Sequence, residues 1–331
     1  MERPRLAHPA PGLTRRGAVR SSLMHQRPGL GIFLILLMAA CFAALDTSVK
    51  YLGPFLPVLV LLWARYAFQA VAMGAWLLLR SGPGFRVAHP KFQLARGALL
   101  MTASVMSFVG LKYMPLAEFT AVGMLAPVVV TSLAALFLNE PVSRLRWALV
   151  ITGFAGALIV IRPGSGVFGW VAAFPLLMAL AYGSFQALTA KLAALEQPLT
   201  THFYTGLIGL LTMTAALMVS GVDTPAVLRN APTHHLVLLL ALGAFGTAGH
   251  LFLILALGMA PTATLMPFIY LQIPFALAAS ALVFSHLPDV WAWFGMAVIA
   301  ASGAATVWLN VSSASPTRRP DSPVAAGTTA D

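Results

Sequence analysis

Charged and amide side chains are rare inside the long apolar runs of this chain, and the few that occur there are its candidates for chemistry. Arg65 lies about nine or ten residues into one run, which is roughly 15 Å along a helix. A charge in the middle of an apolar layer costs roughly 2.5–3.5 kcal/mol, so it is retained for a function or for a buried partner. Because a guanidinium can hold a carboxylate through paired donors, we expect Arg65 to anchor a substrate. The alternative is a structural arginine bonded to a carbonyl or carboxylate of the protein.

Asp46 and Gln69 are the polar neighbours that we expect beside Arg65. Asp46 lies late in the preceding apolar run, and the short loop between the runs brings it within about one turn of the depth of Arg65. Gln69 follows Arg65 by one helical turn, so the two share a face. We expect Asp46 to tune or release the Arg65 anchor, and Gln69 to extend the polar strip.

The second half of the chain supplies further candidates inside its apolar runs. They are Gln186, His250, Tyr270 and Gln272. A single histidine in an apolar helix is either hydrogen-bonded structure or a titrating proton relay. Tyr270 lies in the middle of its run rather than at an end, where aromatic residues mark membrane interfaces, so it fits a pocket. We expect Tyr270 and Gln272 to close the substrate site from the second half.

Two other charged residues lie at the starts of apolar runs. We expect Glu118, at the external mouth of its run, to meet water, and we count Arg96 among the basic residues on the cytoplasmic side. On this interpretation Arg65 is the only basic residue deep inside a run.

Several chemistries have no motif in the sequence. There is no GxxxxGK loop for a nucleotide, no HExxH and no nucleophile elbow, and a single cysteine excludes a disulfide or a cysteine-rich metal site. We therefore expect no catalytic residue, no metal and no cofactor. An intramembrane enzyme would need clustered catalytic groups, which the sequence lacks.

The composition is that of a polytopic membrane protein. Apolar residues make up 59% of the chain and charged residues 9%, against about 45–50% and 25% in soluble proteins. The basic excess comes from arginines between and beyond the apolar runs, so it does not indicate nucleic acid. The lipid bilayer and a small-molecule substrate are the expected partners.

Ten apolar runs reach the length of about 20 residues that a membrane-spanning helix needs. The sequence thus predicts an all-α integral membrane protein with ten transmembrane helices. The runs cover residues 30–49, 56–79, 95–113, 117–138, 145–162, 167–188, 201–220, 234–257, 262–284 and 289–310.

The chain repeats itself across its two halves. Residues 111–162 align with residues 257–308 at a constant shift, and both contain an apolar helix, a proline-containing hinge, a tryptophan and a second helix rich in small residues. Each half holds five spans, and because this number is odd, the second half must enter the membrane in the opposite orientation. We predict two five-helix repeats, residues 29–163 and 164–310, between disordered tails at 1–28 and 311–331.

The distribution of lysine and arginine predicts the orientation. With the N-terminus in the cytoplasm, 15 basic residues fall on the cytoplasmic side and four outside, so we expect both termini in the cytoplasm and the protein in the inner membrane. Glycine pairs such as Gly153/Gly156 serve packing within one chain as readily as dimerisation, and the oligomeric state stays open.

Several short motifs carry a resemblance to a known family. A proline precedes spans 4 and 9, an arginine lies early in span 2, and span 5 holds Gly153 and Gly156. Leu138-Asn139-Glu140 forms a hinge after span 4. With the ten-span layout, these features resemble the EamA-type transporters of the drug/metabolite transporter superfamily over about residues 30–310. One position departs from the family pattern, since His286 stands where a second acidic residue like Glu140 is usual.

The resemblance implies a secondary transporter in which ten helices surround a central path and alternate access to a mid-membrane site. Members move amino acids, nucleosides, riboflavin, S-adenosylmethionine and drugs, and many are exporters. The segment ALDTSVKYLG resembles the branch of S-adenosylmethionine carriers. We expect export or exchange of a small polar metabolite or drug-like molecule, driven by a proton or substrate gradient. Uptake of S-adenosylmethionine, a nucleoside or a vitamin is the alternative, and a non-transporting membrane sensor or scaffold is the rival of another class.

Overall fold

The computed structural model describes residues 27–79, 84–126, 128–129, 144–162, 168–193, 195–257, 259, 265 and 268–313. These residues form helices joined by turns, and none of them lies in a strand. The helices are α1 (Pro28–Leu52), α2 (Val58–Leu79), α3 (Pro90–Tyr113), α4 (Leu116–Gly123), α5 (Arg144–Ile161), α6 (Ala173–Ala193), α7 (Pro198–Ser220), α8 (Thr224–Asn230), α9 (Thr233–Leu257), α10 (Gln272–Phe284) and α11 (Val290–Ser313), and a 3₁₀ turn, Gly169–Ala172, precedes α6.

Proline and capping residues determine where several helices begin and end. Pro28, Pro90 and Pro198 occupy the first turns of α1, α3 and α7, where the missing N–H costs no hydrogen bond. Asp223 caps α8 by accepting a hydrogen bond from the backbone of Ala226 at 3.0 Å. The chain leaves α7 at Gly221, whose φ of 70° is the left-handed conformation that a side chain would disfavour.

Six helices of the described residues are long and apolar enough to cross a membrane. They are Gly29–Leu52, Val58–Leu79, Pro90–Tyr113, Gly169–Thr189, Pro198–Ser220 and Thr233–Ala256, and three shorter apolar helices are Trp147–Ile161, Gln272–Phe284 and Val290–Ala305. The all-helical membrane architecture predicted from the sequence is thereby confirmed. Both predicted tails, apart from residues 27–28 and 311–313, and the Glu140 hinge lie outside the described residues.

The surface of the bundle is apolar, and its mainly apolar interior also contains polar side chains. Leu79, Val219 and Leu282 are more than four-fifths exposed, whereas Arg65, Gln69 and other polar side chains are buried. This distribution is the one a lipid solvent selects, because apolar side chains lose nothing by facing acyl chains.

The helices pack in pairs that join distant parts of the chain. α1 packs along α9, α2 along α7, α3 along α6, α4 along α10 and α5 along α11, while α2 also contacts α9 and α3 also contacts α7. The glycines of α9 make the α9 packing close: Gly243 faces Phe68 of α2, and Gly249 faces Phe42 of α1. In this structure the small residues of α9 serve packing within one chain.

The crossing of α5 and α11 is a contact of bare backbone. A Cβ on Gly156 would lie 3.0 Å from the carbonyl oxygen of Gly295, and a Cβ on Gly295 would lie 2.7 Å from that of Gly156. Any side chain at either position would push the helices apart, so the predicted close-packing role of Gly156 is confirmed.

Candidate functional site

A cavity of about 80 Å³ lies inside the bundle, among α1, α2, α3, α6, α9 and the ends of α4 and α10. Four of the residues predicted from the sequence line it together: Asp46, Arg65, His250 and Gln272. The remaining lining is largely apolar and aromatic, and it includes Phe42, Phe108, Met124, Met178 and Tyr182. Few polar groups in an apolar cavity are the usual composition of a small-molecule site.

Arg65 is held by one side of its guanidinium. Its Nη1 donates to the Oγ of Ser104 on α3 at 2.6 Å, and the hydroxyl of Tyr66 donates to the same oxygen at 2.9 Å. The side chain is 2% exposed, and its Nε has no hydrogen-bond partner in the part of the chain that the structure describes. A buried donor without a partner is costly, and a ligand in the cavity would satisfy it.

Asp46 faces the same cavity from α1, as the predicted depth requires. Its Oδ2 accepts from the Nε2 of Gln272 at 3.4 Å, a bond that joins α1 to the start of α10. Among the described residues no ion pair of 4.0 Å or less joins Asp46 to Arg65. The cavity therefore presents a carboxylate and a guanidinium separately.

His250 lies deep in α9 with its ring among aromatic side chains. The ring meets Phe42 edge-on, with 4.9 Å between centroids, and lies 6.3 Å from the ring of Tyr182. It is 5% exposed, and neither ring nitrogen has a hydrogen-bond partner among the described residues. Such a histidine can both donate to and accept from a bound molecule.

Gln186 lines a smaller adjoining space of about 20 Å³. Phe42, Met124, Tyr182 and Gln272 line both spaces, so the two meet along these side chains. The smaller space is mostly apolar and extends the cavity towards α6 and α9.

Gln69 and Tyr270 do not line the cavity. The Nε2 of Gln69 donates to the carbonyl oxygen of His202 at 2.9 Å and lies 3.2 Å from the Nδ1 of that histidine, so Gln69 joins α2 to α7. Tyr270 lies in the turn before α10 with its hydroxyl against Gly303 of α11. The predicted closure of the site by Tyr270 is not what this structure shows.

Arg96 is a second buried arginine, which was not predicted from the sequence. It is 1% exposed and donates from Nε to the hydroxyl of Thr189 at 2.7 Å and from Nη1 to the carbonyl oxygen of Thr201 at 3.0 Å and the hydroxyl of Thr205. The reason is that α3 begins at Pro90, five residues before the predicted span, so Arg96 lies more than one turn inside the helix. Its side chain also stacks over Phe185, 4.7 Å from the ring centroid.

Glu118 is also buried, contrary to the expected contact with water. It is 3% exposed at the start of α4, and its Oε1 lies 3.0 Å from the Nε2 of His286. His286 is the position that departs from the pattern of the resembling family, and here it serves as a partner of Glu118. Neither residue lines the cavity.

Comparison with known proteins identifies the first half of the chain. The model of the EamA-like transporter family matches residues 29–162. This part of the chain is similar to the EamA domain. The resemblance to EamA-type transporters predicted from the sequence is thus confirmed, and the match ends where the second predicted repeat begins.

Curated relatives extend the similarity over both halves. A riboflavin transporter of Brucella anthropi is 29% identical over 80% of this chain and 94% of its own length. An S-adenosylmethionine uptake transporter of Rickettsia bellii is 25% identical over 82% of this chain and 90% of its own length. These names are those of transporters and not of enzymes, in agreement with the expectation from the sequence. With its apolar helices and its similarity to transporters, this protein is a multi-pass membrane protein.

A solved protein structure with a similar fold is among those that match this chain. Its crystal structure superposes with a TM-score of 0.61 at 16% identity, covering 86% of this chain and 98% of the other. Within the described residues of this chain, no group of three His, Cys, Asp or Glu side chains is arranged to hold a metal ion.

Proposed function

We propose that this protein is a secondary transporter that moves a small polar metabolite or drug-like molecule across the inner membrane by alternating access. The observation that carries the proposal is the cavity inside the bundle, which collects Asp46, Arg65, His250 and Gln272 from both halves. Burying these groups is costly, and the Nε of Arg65 and both ring nitrogens of His250 have no hydrogen-bond partner among the described residues. A ligand or water that meets them in part of the transport cycle offsets this cost.

The transporter proposal includes ten spans in two inverted halves, and the helix pairing supports it. If the predicted repeats correspond, α1 matches α6, α2 matches α7, and α3 matches α9. Exchanging the halves turns the α1–α9 pair into the α6–α3 pair, and the α2–α9 pair into the α7–α3 pair; all four packings are present. Alternating access needs such equivalence, because each half must be able to close either face.

The cavity favours a zwitterionic substrate with a flat ring. Arg65 can receive a carboxylate through its free donors, Asp46 can receive a cationic group, and Phe42 and Tyr182 offer ring faces. Two relatives are named for riboflavin and S-adenosylmethionine, and both of these molecules contain flat heteroaromatic rings.

Export or exchange is the direction we propose, and uptake is the alternative. The relative named as an S-adenosylmethionine uptake transporter favours the alternative. The energy source we propose is a proton or substrate gradient, since the chain has no nucleotide-binding loop.

A membrane sensor or scaffold is the rival that would not move any molecule. Flux into proteoliposomes separates it from a transporter. Purified protein should exchange labelled substrate in the absence of ATP, with riboflavin, S-adenosylmethionine and aromatic amino acids as the first probes. An Arg65→Ala protein in matched liposomes is the control. If probes bind in the cavity but none of them is transported, the result favours the sensor.

A further inference from the structure

Two polar clusters lie at opposite ends of the helix bundle, and each joins the two predicted halves. The Glu118 cluster consists of Glu118 and Arg162 from the first half with His286 and Asp289 from the second. The Glu196 cluster consists of His89 and Arg96 from the first half with Glu196, Thr201 and Thr205 from the second. The cavity lies between the clusters.

The Glu118 cluster has two contacts across the boundary between the halves. The Oε1 of Glu118 lies 3.0 Å from the Nε2 of His286, and the guanidinium of Arg162 lies 2.6 Å from the carboxylate of Asp289. The backbone N–H of Ala292 and then the Arg162 guanidinium hold the pKa of Asp289 below its usual range, so its carboxylate remains charged at neutral pH. The first half contributes the start of α4 and the residue that follows α5, and the second half contributes the loop between α10 and α11.

The Glu196 cluster also joins the two halves by hydrogen bonds, at the other end of the bundle. The Oε1 of Glu196 accepts from the backbone N–H groups of Ala88 at 3.0 Å and His89 at 2.7 Å. The Glu196 side chain is 4% exposed, as is that of Glu118. Arg96 adds its hydrogen bonds to Thr201 and Thr205 on α7.

We infer that these clusters are the two gates of the transport path, the Glu118 cluster closing the predicted external face and the Glu196 cluster the predicted cytoplasmic face. The inference rests on the proposed function. At each end a buried glutamate of one half takes its partners from the other half, so the halves cannot separate there without breaking charge-assisted bonds. Rocking that opens one end presses the other together. The two gates therefore open in turn, and their relative strengths set which face the cavity meets more often.

The alternative is that both clusters merely stabilise the fold. Loss of either cluster would then loosen the bundle and raise access to the cavity from both faces. Gates differ in that weakening one must raise access from its own face and lower it from the other. The direction of the change at each face separates the two roles.

The experiment measures access to the cavity from each face. Cys41 is the only cysteine of the chain, so a Cys41→Ser background with Ser107→Cys places one reporter thiol in the cavity lining. A membrane-impermeant maleimide is applied to right-side-out and to inside-out vesicles. His286→Ala with Asp289→Ala weakens the first gate, and Glu196→Ala weakens the second.

We expect the His286→Ala/Asp289→Ala protein to be labelled about ten-fold faster from the Glu118 face and more slowly from the Glu196 face, since one lost charge-assisted bond is worth about a factor of ten or more. Glu196→Ala should show the reverse. The matched controls are Arg229→Ala and Lys91→Ala, exposed basic residues near the respective ends.

Unchanged labelling, or labelling that rises from both faces in either variant, would overturn the gate assignment. The labelling does not require transport. If the labelling rates change in opposite directions at the two faces but no substrate is transported, the gate assignment stands and the transporter proposal is refuted. If substrate is transported but the labelling rates do not change in opposite directions, the transporter proposal stands and the gate assignment is refuted.

Discussion

Replacing Arg65 tests the proposed substrate anchor most directly. A hydrogen bond to a charged group contributes about 1.5–3 kcal/mol, and each 1.4 kcal/mol is a factor of ten. Lysine keeps the charge but loses the fork, so Arg65→Lys removes one such bond and should raise KM about 10- to 150-fold. Alanine removes both bonds to a carboxylate, and flux well below saturation should fall at least about 100-fold, which is loss of transport in practice.

The fold should tolerate the loss of Arg65. Only Nη1 of Arg65 has a hydrogen-bond partner among the described residues, and that acceptor, Ser104, keeps the bond from Tyr66 and its own bond to the carbonyl oxygen of Leu100 at 2.8 Å. In this described part of the chain no other group loses its only partner. We therefore expect a folded protein that inserts into the membrane and elutes as the parent does in detergent.

The assay is initial flux into proteoliposomes at several substrate concentrations, normalised to folded protein. Arg229→Lys and Arg229→Ala, at an exposed arginine, are the matched controls and should leave KM unchanged. Full flux from Arg65→Ala would exclude this anchor. Loss of folded protein in both Arg65 variants would instead assign Arg65 a structural role.

Three further outcomes are expected. Gly156→Val should lower the yield of folded protein, because a Cβ there would meet the carbonyl oxygen of Gly295 at 3.0 Å and overpacking costs about 1–3 kcal/mol; Gly29→Val, with open space around it, should not. Reporter fusions should give a cytoplasmic signal at Ser143 and an external signal at Asp223, and a cytoplasmic signal at Asp223 would refute the inverted halves. Substrate flux should proceed without ATP, and a strict need for its hydrolysis by this chain would exclude a secondary transporter.

The membrane helices were predictable because a lipid solvent leaves a strong signal in sequence. The runs predicted at 30–49, 201–220 and 234–257 correspond to helices at 28–52, 198–220 and 233–257. Apolar length defines a span, and prolines mark where helices begin. The predicted common depth of Asp46 and Arg65 likewise followed from antiparallel helices joined by a short loop, and both residues line one cavity.

Which neighbour a side chain meets was harder to predict. Arg65 and Gln69 share a helical face, yet Arg65 bonds to α3 and Gln69 to α7, because different helices cross α2 at successive turns. The helical period gives the face and says nothing of the partner. Tyr270 likewise lies at the right depth but turns towards Gly303.

Glu118 and Arg96 were misjudged for a related reason. Each lies near the end of a helix, where a hydropathy pattern predicts contact with water, and each is buried by partners from the other half of the chain. Residues more than 90 positions away supply that burial. A local hydropathy pattern cannot report such partners. Two residues gave a signal: Pro90 marks an earlier start of α3 than predicted, and His286 departs from the family pattern and contacts Glu118.

If the gates open by a tilt of α5 against α11, the close contact of Gly156 with Gly295 is the point about which α5 tilts, and it divides α5 unequally. Gly156 lies about six residues, or roughly 9 Å, from Arg162 at one end of α5 and about twelve residues, or roughly 18 Å, from Arg144 at the other. A tilt about this point that parts Arg162 from Asp289 by about 2 Å displaces the far end by about 4 Å. Small movements at the Glu118 face are thereby doubled at the opposite face, and paired distance labels on the two helices would measure that ratio.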